Sequence, residues 1–255
     1  ERFDEYFGFT DKEVKELLEY YSVADHYEEV KRWYDGYQFG NKEVYCPWDV
    51  LNHCDRIRRE PHVQPENYWI NTSSNDAVKR FIEESANAAT KREIERLVAG
   101  EVIMKEIHQE LTYSEIYQTI DNIWSLLFTT GYLTQRGKAE GRQMKLAIPN
   151  LEIRDIYVTQ IMEFFKDNVR EDGDTLNRFC DALQNENAEN VEKIFNDYLR
   201  KTISIRDTAV RTDMKESFYH GVLLGILGVK NRWGISSNRE MGEGYADILA
   251  EPDTG

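Results

Sequence analysis

The sequence predicts an α+β fold in which helices predominate, and three observations carry that reading. Apolar residues recur at helical spacing through most of the chain, three times behind a Thr-x-x-Glu pair of the kind that starts a helix (Thr10 with Glu13, Thr90 with Glu93, Thr112 with Glu115). Strand-like runs are few and short, and they stand beside Gly-containing turns. The 255 residues, 40% hydrophobic and 12% aromatic, can bury a sizeable core and are far from the profile of a disordered chain.

The first helix is predicted over 11–20, where Val14, Leu17 and Leu18 share a face. The following VKRWYDGYQFGNKEVYCPWDVL packs aromatics around the turn pairs Asp35-Gly36 and Gly40-Asn41. It reads as a helix end, a compact aromatic loop, a short strand and a helix after Pro47. Residues 55–68 then form a polar loop with two prolines. Helices follow at 75–87, 91–99 and 115–129, the last with Ile116, Ile120, Ile123, Trp124 and Leu127 in one stripe and Gly131 at its end. Segments 132–135 and 144–148 pair as a hairpin across the polar turn 136–143. Helix and hairpin outline a winged helix. The exposed positions of that helix carry Glu115 and Asp121 and no Arg or Lys, so a packing module is expected rather than a DNA reader. Helices at 152–168, 174–184, 189–201 and 213 to about 227 lead to short strands at 233–236 and 245–250.

Composition narrows the function. The formal charge of −15 argues against a protein that lives by general phosphate contacts, although residues 200–255 balance eight acidic against eight basic side chains. The longest apolar stretch, Val222 to Val229, is broken by Gly225 and Gly228, and Glu1-Arg2-Phe3-Asp4-Glu5 is no signal peptide. Neither membrane nor secretion is expected. Three cysteines leave an odd thiol and make no disulfide framework, which fits a cytoplasmic protein.

Several motifs dissolve on inspection. GYLTQRGKA has the wrong glycine spacing for a P-loop and Ala139 where a Mg²⁺-holding hydroxyl belongs, so no ATP site is expected. Cys46, His53, Cys54 and His62 fit no paired zinc knuckle, and small apolar packing suits the cysteines better. No nucleophile elbow is present. The last helix is different. At about 100° per residue, Leu223 and Leu227 fall within about 20° of Glu216, which places a carboxylate inside the apolar arc, with His220 one turn on. A structural ion pair is the plain explanation. Asp247 repeats the anomaly between Tyr245 and Leu249 on one side of a strand. Two such carboxylates, on a helix and on the sheet after it, could share a divalent cation.

Six stretches carry a resemblance: WYDGYQFGNKEVYCPWDVLN (33–52), YWINTSSND (68–76), LLFTTGYLT (126–134), LAIPNLEI (146–153), ESFYHGVLLGIL (216–227) and SNREMGEGYADILAEP (237–252). In this order they resemble the bacterial predicted AAA-ATPase-like proteins that carry a C-terminal PD-(D/E)XK nuclease-superfamily domain. The resemblance implies the C-terminal part of an ATPase-like, lid-like helical region at 1–75 and a helical region with the winged-helix-like hairpin at 76–200. Residues 201–255 would then begin a PD-(D/E)XK α/β core. It implies that the ATPase core with its P-loop precedes this chain and that the strand bearing Glu-x-Lys follows it, so the 255 residues alone are expected to be inactive. It also implies that Asp247 and Glu216 are metal-binding, that Asp247, Glu216 and His220 are the catalytic set, and that the metal is Mg²⁺ or Mn²⁺. DNA or RNA is the implied partner, and the ATPase core another. One departure is that Tyr245-Ala246 stands where the family often has Arg-Tyr, which removes an Arg contact. A non-catalytic regulatory or interaction scaffold that keeps the nuclease fold is the alternative reading.

Overall fold

The computed structural model describes residues 4–69, 75–84, 88–108, 110–111, 115, 118–139, 141–201, 219–220, 222–224, 226–228, 233–241 and 244–252. The fold is α+β and mostly helical. The helices are α1 (Asp11–Tyr20), α2 (Tyr27–Tyr34), α3 (Pro47–Arg59), α4 (Asp76–Glu84), α5 (Ala88–Val98), α6 (Ile120–Thr129), α7 (Leu151–Glu171), α8 (Gly173–Gln184) and α9 (Ala188–Lys201). The strands are β1 (Tyr37–Phe39), β2 (Lys42–Val44), β3 (Ile103–Glu106), β4 (Thr134–Gln135), β5 (Gln143–Ala147), β6 (Trp233–Met241) and β7 (Gly244–Pro252). None of the described helices is long and apolar enough to cross a membrane. The chain divides into two compact units, Glu1–Ala86 with Arg96–Tyr157, and Asn87–Glu95 with Val158–Gly255.

In the first unit, α1 starts on the reciprocal pair foreseen from the sequence. The Thr10 hydroxyl accepts from the Glu13 amide while the Glu13 carboxylate accepts from the Thr10 amide at 2.8 Å. Val14 and Leu18 of α1, Val30 and Tyr34 of α2, Tyr45, and Val50, Cys54 and Ile57 of α3 close one core. β1 and β2 form a short hairpin turned at Gly40-Asn41. Further on, β3, β5 and β4 make an antiparallel sheet in that spatial order, next to α6, and Phe81 of α4 meets Trp124 of α6 edge-on at 4.5 Å. β3 is a strand that the sequence did not announce. Ile103-Met104-Lys105-Glu106 has little strand propensity and is held by its pairing with β5.

Three boundaries differ from expectation. α3 runs on to Arg59, into the stretch read as loop, because Asp55 pairs with Arg58 and Arg59 on its outer face while Ile57 is buried. Thr90 lies inside α5 rather than at its start. α6 begins at Ile120, where Thr119 accepts from the Asn122 amide, and Thr112 lies outside the described residues.

In the second unit, α8 starts on Asp172, whose carboxylate accepts from the Thr175 amide at 3.3 Å, and it packs against α9 with Phe179 facing Phe195. Residues 219–220, 222–224 and 226–227 are helical, with Val222, Ile226 and Leu227 buried and Tyr219 edge-on to Phe195. After this helix comes the β6–β7 hairpin, both strands longer than predicted, in register from Trp233↔Pro252 to Met241↔Gly244.

Candidate functional site

Asp247 lies midway along β7, bracketed by the pairs Ser237↔Ile248 and Arg239↔Ala246. Its side chain is exposed, while Ile248, Leu249 and Ala250 are half-buried. The sequence expectation of a carboxylate on an apolar, buried face is therefore corrected: the Asp247 side chain is in water and bears no cost of burial. His220 is half-buried on the preceding helix. Glu216, and with it the expected approach of Glu216 to Asp247, lies outside the described residues. As a hard oxygen donor on a paired strand, Asp247 suits Mg²⁺ or Mn²⁺. Among the described residues no three His, Cys, Asp or Glu side chains are gathered as a metal site.

His53, singled out with the cysteines, has a different occupation. It is fully buried, with Nε2 3.2 Å from Glu29 Oε1 and Nδ1 3.3 Å from the Tyr68 hydroxyl. Burial pushes its pKa below the ordinary value, and the Glu29 hydrogen bond opposes that. Cys54, next along α3, packs in the core.

The least expected arrangement is in the first unit, where four of the six resembling stretches converge. The Asp35-Gly36 turn passes so close to Pro149 that a Cβ on Gly36 would stand 2.2 Å from its carbonyl oxygen, and Gly36 takes a φ of +100°. Only glycine fits there. The Trp69 ring stacks on Tyr132 at 5.5 Å and meets Tyr37 edge-on. Asn150 caps α7, its side-chain oxygen accepting from the Ile153 amide at 3.0 Å. Between these groups, Asp49 in the first turn of α3 meets Glu152 in the first turn of α7.

Both carboxyl groups are 0% exposed. Glu152 Oε1 accepts from the Trp69 amide at 2.9 Å. Counted as carboxylates, Asp49 Oδ1 and Oδ2 and Glu152 Oε2 have no donor. Burial, and then the Asp49 charge, push Glu152 up to about 9. Asp49 is raised by burial, against hydrogen bonds from Cys46 and Glu152 that favour its ionised form. The Cys46 thiol, half-buried beside Asp49, is pushed up to about 12 by desolvation and then the Asp49 charge, and remains protonated.

The sequence held a signal for this pair. On α7 Glu152 adjoins Ile153 and lies within about 40° of Ile156, both 0% exposed. Asp49 stands beside Val50 and one turn before His53 and Cys54, likewise buried. Their proximity across about a hundred residues had no such signal. Comparison of the chain with family models, curated proteins and solved structures finds no match.

Proposed function

We propose that the chain carries part of a metal-dependent nuclease module of the PD-(D/E)XK kind, joined to an ATPase-like region and acting on nucleic acid. The observation that carries this reading is Asp247, an exposed carboxylate midway along the second strand of a hairpin that follows a helix. That is the position the resemblance gives to the metal-binding Asp. Asp247 supplies an oxygen ligand held by the strand ladder, and the resemblance gives it Glu216 and His220 as partners. A Mg²⁺ or Mn²⁺ ion bound there would polarise a phosphodiester and acidify a water. The second reading, a non-catalytic scaffold that keeps the nuclease fold, draws on the net charge of −15, which repels a polyanion.

The test is cleavage of labelled DNA and RNA by the full-length gene product with Mg²⁺ or Mn²⁺, beside its Asp247→Asn variant. The amide keeps the shape and removes the charge that holds the ion. We expect metal-dependent cleavage that the substitution abolishes. Equal cleavage by the variant would remove Asp247 from the mechanism, and no cleavage of any substrate would leave the scaffold reading in place.

A further inference from the structure

We propose that Asp49 and Glu152 hold one proton between them in the folded protein, and that this proton is a pH-sensitive latch joining the start of α3 to the start of α7. Two ionised carboxylates in contact, each without exposure to water, would repel at short range in a low dielectric, with only the Cys46 thiol to serve the Asp49 oxygens and no donor for Glu152 Oε2. One proton on Glu152 Oε2 removes both difficulties. That oxygen becomes a donor with Asp49 to receive it, while Oε1 keeps the Trp69 amide. The single remaining charge, on Asp49, receives hydrogen bonds from Glu152 and from the Cys46 thiol, and it sits at a helix N-terminus that favours an anion.

Among the described residues no cation acts measurably on Asp49 or Glu152, and Arg136, on the Pro149 carbonyl, is paired with Glu43. The titratable groups within electrostatic reach from α2, β1, the α3 cap and the loop before Trp69 are Tyr34, Tyr37, Cys46 and Tyr68, all neutral at neutral pH. The adjacent charged residues of α7 are directed elsewhere. Arg154 points to Gly100, and Asp155 accepts from Asn67. The pair therefore titrates as a unit, and the elevated value belongs to the pair as much as to Glu152.

The sign of the effect follows from proton binding. The folded chain retains a proton that the unfolded Glu152 has already released, so the latch is fully effective below the ordinary glutamate value and is lost as pH rises through the folded one. Asp11, held near 2 by Lys15, Tyr27 and Tyr45, titrates far below this window, and the depressed His53 titrates below neutrality. Between about pH 7 and pH 9 the unfolding equilibrium constant should rise about tenfold per pH unit, read from urea midpoints. Glu152→Gln keeps a donor to Asp49 but cannot titrate, and should flatten that rise; an unchanged rise in the variant would overturn the proposal. Carboxyl-carbon NMR of the unmodified protein gives an independent reading that does not depend on the variant folding. A protonated Glu152 carboxyl is expected at neutral pH, and two ionised signals would contradict the shared proton.

Discussion

Glu152 and Asp247 are both acidic residues placed at the start or middle of regular elements, yet their surroundings make them chemically different groups. Glu152 is sealed in the first unit beside a second carboxyl and accepts from a backbone amide. Asp247 is exposed on a two-stranded hairpin in the second unit. A sealed carboxyl minimises its free energy by keeping a proton; an exposed one stays ionised and remains available to a cation. A lone acidic residue in an apolar pattern thus does not by itself mark a metal site. The pattern is the same for a buried structural pair, and exposure separates the two.

The largest effect should come from the sealed side. Glu152→Ala removes the Trp69 amide's acceptor and leaves Asp49 buried without its donor, which should cost about 3 kcal/mol of stability by urea unfolding. A loss no greater than that of an average surface substitution would break the contrast drawn above. Gly36→Ala comes next. Its φ of +100° and the 2.2 Å approach to the Pro149 carbonyl oxygen predict a loss of about 2 kcal/mol, because that closest contact is with backbone, which cannot swing aside like a side-chain end. A neutral Ala would mean that the turn can move away from α7 at little cost. Asp247→Asn should be the mildest of the three, within about 0.5 kcal/mol of the unmodified protein, as expected for an exposed position. Strong destabilisation there would give Asp247 a structural role instead.

Local chemistry was legible in the sequence wherever it is self-contained. The Thr10–Glu13 box, the start of α3 at Pro47, the α7, α8 and α9 stripes and the β4–β5 hairpin all rest on residues a few positions apart. What escaped was set by distant partners. β3 exists through β5, some forty residues away, and α6 starts later than predicted, at Ile120 with Thr119 as its cap. The burial of Asp247 was misjudged because strand alternation identifies which residues share a face but not which face meets the core. The Asp49–Glu152 contact failed to appear for a third reason: acidic side chains are favoured in the first turn of a helix, which masks the apolar neighbours of each, and only the fold brings the two turns together.

Manganese-induced broadening of backbone amide NMR signals tests both halves of the comparison at once. Mn²⁺ titrated into the protein should first broaden signals around Asp247 on β7, and Asp247→Asn should abolish that broadening. Signals of Asp49, Glu152 and Trp69 should stay sharp at the same concentration, since their site is filled by a proton. Broadening centred on Asp49 and Glu152, with β7 untouched, would contradict the account, because the buried pair would then be the cation site and the exposed carboxylate a surface residue.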